Sequence, residues 1–284
     1  MSPPQPAIAT LATGAALEDL RIFVATVELF NPNPPTIYLY CDTRIASEVP
    51  KMKYPGILCI NTVLDEYSAH DRRAMESMPG KHFKTLWMDF MTEKINLLRW
   101  ALKETRSVLL CDADICFTGP LPKIPGAARL ALSPHMIIER DEKRFGKYNG
   151  GYAWFSEVED AEFWWKACAT ARYYEQSALE DLATHVMEDG PDSLYEFPKA
   201  HNYGWWRLWQ NVKHPSEVMK DWTIHKAPGT SGIHVDGQPL GSVHTHFNTT
   251  DAATKQFNLF ILKFLNNLSQ VHAPARRLLA ILRA

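Results

Sequence analysis

The feature that most constrains this chain is a repeated switch between short, continuous apolar runs and segments whose apolar residues recur at helical spacing. Ala7 to Thr13, AIATLAT, is a run of the first kind closed by Gly14, and AALEDLRIFVATVELF follows at helical spacing up to the breaker NPNPP. TIYLYCD at Thr36 to Asp42 and GILCINTV at Gly56 to Val63 read as buried strands, being uninterrupted and rich in β-branched and aromatic side chains; the stretch between them, with Pro50 and Pro55, reads as a loop. A helix over about Thr85 to Glu104 turns Phe90, Ile95, Leu98 and Ala101 toward a core and leads into SVLLCDAD at Ser107 to Asp114. This alternation predicts a doubly wound α/β fold with a mostly parallel sheet and right-handed crossovers, in which ligands sit beyond the carboxyl ends of the strands.

The second half is less regular. Strands are expected at Leu130 to Ser133 and Tyr148 to Phe155, and helices at Asp160 to Arg172 and Gln176 to Met187. A stretch rich in Trp, His, Gly and Pro then runs from Pro198 to Gly241, too long for a plain connector and of the kind that serves as a binding loop. Phe257, Phe260, Ile261, Phe264, Leu265 and Leu268 share one helix face. The tail APARRLLAILRA is a basic amphipathic piece, a form suited to docking on the domain and also to peripheral contact with a membrane surface. The expected organisation is one domain over 1–250 with a helical extension, 251–284, packed on it.

Composition narrows the function. Thirty basic against 32 acidic side chains give a net charge of -2, so no global positive field draws the chain onto nucleic acid. No apolar stretch approaches the ~18 residues of a membrane span, and Met1 to Leu17 lacks the basic start of a secretory signal, which gives a soluble, cytoplasmic reading. Cys41, Cys59, Cys111, Cys116 and Cys168 are odd in number and contain no C-x-x-C pair, so neither a disulfide framework nor a zinc knuckle is implied.

The chemistry concentrates at Asp112-Ala113-Asp114, where a strand ends. Two carboxylates at a ligand edge repel each other unless a cation joins them, and hard oxygen ligands suit Mn²⁺ or Mg²⁺ bound together with phosphate oxygens. Two glycines within YNGGYAWF mark a bulge or a place where a ligand comes close, with Asn149 beside Gly150 and Gly151 able to bond sugar hydroxyls. Alternation in VHTHF sends His244 and His246 to the same side, so that one ligates and the other supports it. Asp42, closing the second strand, suits a ribose hydroxyl or a base N–H, or else a turn cap. Lys94 and Arg99 suit either phosphate pairing or a solvated helix face. Tyr203, Gly204, Trp205 and Trp206 form the best acceptor-side cluster, with Trp154, Trp209 and Trp222 as further candidates for stacking on a sugar or base.

The block KINLLRWALKETRSVLLCDADICFTGPLP, Lys94 to Pro122, resembles the core of the GT-A glycosyltransferases, the nucleotide-diphospho-sugar transferase superfamily, and is loosely similar to the glycogenin-like branch. YNGGYAWF is similar to the N-x-G strand that follows D-x-D there, Glu175-Gln176 to the D-Q-x-x-L-N element, and VHTHF to the late histidine of the metal site. The resemblance implies a Rossmann-like GT-A fold and a metal, commonly Mn²⁺, held by Asp112, Asp114 and a histidine, His246 or His244. It implies a donor nucleotide near Thr10, Ala12, Thr13 and Ala113, and catalytic contributions from Glu175 and Gln176. The activity implied is transfer of a sugar from a nucleoside-diphosphate donor, UDP in the first instance, to a hydroxyl of a glycan-type acceptor. Two departures stand out: Glu replaces the first Asp of the acidic element, and the H-x-x-G-x-x-K-P-W form of the glycogenin-like proteins is absent. A sugar-1-phosphate nucleotidyltransferase is the alternative enzyme, weakened by the lack of a Gly-rich basic loop near the amino terminus. A non-catalytic carbohydrate-binding protein is the third reading.

Overall fold

A computed structural model describes residues 5–209, 217, 219–227 and 231–284. Thirteen strands are described: β1 (Ala7–Ala12), β2 (Ile37–Cys41), β3 (Leu58–Thr62), β4 (Val108–Cys111), β5 (Ile115–Phe117), β6 (Leu130–Pro134), β7 (Tyr148–Phe155), β8 (Leu194–Glu196), β9 (Tyr203–Gly204), β10 (Trp222–His225), β11 (Gly232–Val235), β12 (Gln238–Pro239) and β13 (Ser242–His244). The helices that matter below are α1 (Leu17–Phe30), α2 (Thr43–Met52), the pair α3 (Asp65–Ser68) and α4 (Arg72–Ser77), α5 (Leu86–Glu104), α6 (Glu139–Phe145), α7 (Val158–Ala167) and α8 (Leu179–Met187).

Seven strands form the central sheet in the order β3-β2-β1-β4-β7-β6-β8. β3, β2, β1 and β4 are mutually parallel, whereas β7 is antiparallel to both β4 and β6. The alternation of β1 shows why both faces are covered: Ala7 and Ala9 join the cluster under α5, α7 and α8, while Ile8 and Ala12 join the one under α1. β3 departs from the expected buried strand. It lies at the sheet edge, with Ile60 and the flanking Ile57 and Val63 exposed, because it has a neighbour on one side alone.

The reversal of β7 matters most for the site. An antiparallel strand beside β4 brings its own beginning to the carboxyl end of β4: Cys111 pairs with Tyr152, and the Asp112 N–H donates to the Gly151 carbonyl at 2.8 Å. The N-G-G sequence is thereby laid against D-x-D. A small sheet completes the rim, since β13 runs antiparallel to β5 with His244 opposite Ile115, and parallel to β9 with His244 opposite Gly204.

Between β2 and β3 the structure has a helix where the prolines suggested a loop. Asp42 caps α2 by accepting from the Ile45 N–H at 2.8 Å, and Pro50 lies in the last turn, so the one helical bond it forgoes is close to the helix end. The short helices α3 and α4 were likewise outside the sequence expectation, being too brief to show a period. At the other end of the chain, the helix Ala252–Ser269 buries Phe257, Ile261, Leu265 and Leu268 in a third core shared with Tyr203, Trp222 and Val243. The terminal helix Ala273–Leu282 buries Ala275, Leu278 and Leu279 in the same core and packs on α1, leaving Arg276, Arg277, Ala280 and Arg283 outward. The apolar side that a membrane would have engaged is thus turned into the protein. Among the described residues no helix is long and apolar enough to cross a membrane.

Candidate active site

Asp112 and Asp114 sit in the turn between β4 and β5, at the carboxyl edge of the parallel strands. The histidine that joins them is His244. Its Nε2 lies 3.1 Å from Asp114 Oδ1 and 3.7 Å from Asp112 Oδ2, and the three residues offer ligand atoms within 4.8 Å of one another. Two carboxylates and an imidazole are a donor set that suits Mn²⁺, and less selectively Mg²⁺, so these residues fit the divalent cation that D-x-D implied. Gly151 makes the cradle possible: a Cβ there would overlap Asp112 and come within 2.8 Å of His244 Cε1.

His246 occupies a different place. It is exposed, with Nδ1 2.9 Å from Asp19 Oδ2 and Nε2 3.2 Å from Asp114 Oδ2. The hydrogen bond to Asp19 raises the imidazole to about 9, with Asp114 adding to the effect against the opposing influence of burial. At neutral pH it is therefore an imidazolium bridging two carboxylates, and it is the buried His244 rather than His246 that groups with both acids. Burial alone would raise the Asp114 carboxyl, but His244 and His246 outweigh it and hold it below the usual carboxylate range. Asp19 was not singled out in the sequence; nothing near it marks it, because it acts through a residue at the far end of the chain.

Beneath this rim lies a second charged group. Lys94, on α5, is 2% exposed, so it does not belong to a solvated helix face. Its Nζ lies 2.8 Å from Asp112 Oδ1 and 3.3 Å from both Glu175 Oε1 and the Gly150 carbonyl. Burial would push the ammonium down, yet Asp112 and Glu175 prevail and hold it above its ordinary value. Burial raises the Glu175 carboxyl, with Lys94 opposing. Glu175 is packed under β7, where a Cβ on Gly150 would come within 2.8 Å of Oε1. Gln176 has both amide ends engaged, Oε1 accepting from the Gly150 N–H at 3.1 Å and Nε2 donating to the Phe145 carbonyl at 2.9 Å.

The remaining candidates divide between rim and scaffold. Asn149 is buried, with Oδ1 accepting from the Gly151 N–H and from Asn202 Nδ2, each at 3.1 Å. Thr10 and Ala12 are buried on the α1 side of β1, whereas Thr13 is half-buried at its end. Asp42 accepts from Gly14 N–H at 2.6 Å through one oxygen and from Ile45 N–H at 2.8 Å through the other, and so caps α2. Ala113 is buried between the two acids. Arg99 pairs with Glu162 at 2.6 Å on the outer side of α5, away from the rim. Of the tryptophans, Trp206 stands edge-on to His244 with ring centroids 5.0 Å apart, while Trp222 and Tyr203 are core residues around Phe257 and Trp154 is buried in the main sheet. The Trp209 side chain lies outside the described residues. Of the carboxylates that follow Glu175 in the chain, Glu180 is engaged by the Lys147 N–H at 2.9 Å and by Arg172 at 2.6 Å, and Asp181 is exposed on α8.

Solved structures place this architecture. The chain superposes on mouse xyloside xylosyltransferase 1 in its apo form with a TM-score of 0.55, 10% identity, and coverage of 88% of this chain and 100% of that one. It superposes on the galactosyltransferase LgtC, in complex with donor and acceptor sugar analogs, with a TM-score of 0.52, 12% identity, and coverage of 89% and 94%. The fold is that of the GT-A glycosyltransferases. A third GT-A match, the glycosyltransferase GlyE of Streptococcus pneumoniae TIGR4 in its apo form, has a TM-score of 0.52 at 13% identity, over 90% of this chain and 60% of GlyE. No protein-family model and no curated protein matches the sequence. The GT-A sheet explains why the acids lie where they do: ligands of such sheets gather at the carboxyl ends of the parallel strands, and β4 delivers D-x-D there.

Proposed function

We propose that the chain is a metal-dependent glycosyltransferase that moves a sugar from a nucleoside-diphosphate donor, UDP-linked in the first instance, to a hydroxyl of a glycan-type acceptor. The observation that carries this reading is the convergence of Asp112, Asp114 and His244 at the carboxyl edge of a GT-A sheet. Those three residues would hold the divalent ion, Mn²⁺ or Mg²⁺, which when bound supplies a Lewis acid against the charge that develops on a departing diphosphate.

The protein's own groups do the positioning. Lys94 holds Asp112 from below, so that Oδ1 faces the ammonium and Oδ2 faces the rim. The imidazolium of His246, between Asp19 and Asp114, adds a positive charge on the solvent side, where a donor's phosphates would approach. Gly150 and Gly151 carry no side chain where Glu175 and where Asp112 and His244 approach β7, so the strand lets both charged groups close on it. Glu175 is 2% exposed and bound to Lys94, so it serves as a positioning residue for Lys94 and Asp112 rather than as a base touching the acceptor.

The direct test is incubation of the full chain with radiolabelled UDP-sugars and Mn²⁺, reading release of UDP with and without a glycan acceptor. UDP release that is abolished by EDTA and by Asp114→Asn is the expected result. Release that persists in EDTA excludes the metal role, and release of a sugar phosphate in place of UDP would turn the reading toward nucleotidyl transfer.

A further inference from the structure

Behind His244 lies a chain of four buried polar side chains whose hydrogen-bond directions are set by two backbone groups, the Gly146 carbonyl at His135 and the Gly151 N–H at Asn149. His135, Asn149, Asn202 and His244 are 6%, 7%, 0% and 5% exposed, in that order. His135 Nδ1 lies 3.0 Å from the Gly146 carbonyl, which can only accept, so that nitrogen carries the proton and Nε2 is an acceptor. Burial pushes the His135 imidazole down to about 4, which keeps it neutral as this arrangement requires. Asn149 Nδ2 donates toward His135 Nε2 at 3.4 Å, and Asn149 Oδ1 receives the Gly151 N–H, which can only donate. The amide of Asn149 therefore has one orientation. Asn202 must then donate through Nδ2, to Asn149 Oδ1 and to Ser133 Oγ, both at 3.1 Å. Its Oδ1 is left facing His244 Nδ1 at 3.1 Å, an acceptor that demands a proton on that nitrogen.

We infer that Asn202, oriented by Asn149 and His135, is a positioning residue that keeps a proton on His244 Nδ1 and so leaves Nε2, 3.1 Å from Asp114 Oδ1, as the nitrogen available to a metal ion. The inference rests on the metal reading of those three residues and deepens it. A histidine that ligates through one nitrogen needs a partner at the other to set ring orientation and tautomer, and loss of such a partner typically costs ~10–100-fold in metal affinity. Here the partner is an amide, whose own direction is set by the strand pair β6 and β7 through Ser133, His135 and Asn149. Trp206 closes the group from above, edge-on to His244 at 5.0 Å and to His135 at 5.6 Å. It keeps water from competing for these bonds.

The test is the Mn²⁺ dissociation constant of the metal-free full chain, read from the electron paramagnetic resonance of free Mn²⁺, with circular dichroism as a check on folding. Asn202→Ala raises the constant about 10–100-fold. Asn202→Asp keeps an oxygen to accept from His244 Nδ1 while losing both amide donations, and stays within about threefold of the wild type. Equal binding by Asn202→Ala and wild type overturns the inference, as does an Asn202→Asp variant as weak as Asn202→Ala, which would indicate a purely structural role. Should Asn202→Ala fail to fold, ¹⁵N spectra of the His244 ring in the Zn²⁺-loaded wild type decide the matter: a proton on Nδ1 supports the inference and one on Nε2 overturns it. Absence of Mn²⁺ binding by the wild type, or unchanged binding by Asp114→Asn, overturns the metal reading itself and this inference with it. Wild-type binding that Asp114→Asn abolishes and Asn202→Ala spares overturns the inference alone.

Discussion

Lys94 Nζ lies 2.8 Å from Asp112 Oδ1, joining the helix that precedes the central strand to the first acid of D-x-D through an ion pair closed to solvent on the lysine side. Glu175, 3.3 Å from the same ammonium, makes it a shared cation. Removing one member of a buried ion pair leaves an uncompensated charge and costs roughly 3–5 kcal/mol. Lys94→Met is therefore expected to lower stability by about that amount in urea unfolding. Pairing it with Glu175→Gln should recover a measurable part of the loss. A Lys94→Met protein as stable as wild type would show that the charge balance is supplied elsewhere.

Gly151 tests the cradle without touching a titratable group. A methyl group there overlaps Asp112 and crowds His244 Cε1 at 2.8 Å, so Gly151→Ala should weaken Mn²⁺ binding at least about tenfold while the far-UV spectrum stays that of a folded α/β protein. Titration calorimetry with Mn²⁺ reads this; unaltered affinity would mean that the ion does not lie beside β7.

The acid limb of stability should carry the signature of His135. Its imidazole is pushed by burial to about 4 from an ordinary 6.5, so between those values the unfolded chain binds more protons than the folded one. Its contribution is complete above about pH 6.5 and is lost as pH falls toward about 4, a change on the order of 3 kcal/mol at the low end. Melting temperatures from pH 7 to pH 4 should fall less steeply for His135→Phe than for wild type. Parallel curves would show that the ring is protonated in the folded state without penalty.

Asp42 should behave as scaffold. With one oxygen on the Gly14 N–H and the other on the Ile45 N–H, it ties the end of β1 to the start of α2. Asp42→Ala removes a cap and an acceptor for a second backbone donor, at a cost of about 1–3 kcal/mol. Chemical denaturation checks this, and an unchanged midpoint would point to a role for the carboxylate other than holding the loop.

The sequence by itself determined the strands and long helices whose residues repeat at a local period: helix Leu86–Glu104 against an expected Thr85 to Glu104, and strand Tyr148–Phe155 at its expected bounds. It also set D-x-D at the end of a buried strand, because burial on both faces produces an uninterrupted apolar run that polar residues visibly terminate. Tertiary structure alone decided which groups meet. Nothing local distinguishes His244 from His246, two positions apart; the pairing of β13 with β5 and β9 buries one and exposes the other. The reversal of β7, the inward turn of Lys94 and the approach of Asn202 likewise depend on pairings between distant segments. Those are selected by the packing and hydrogen bonding of the whole sheet rather than by any periodicity within one segment.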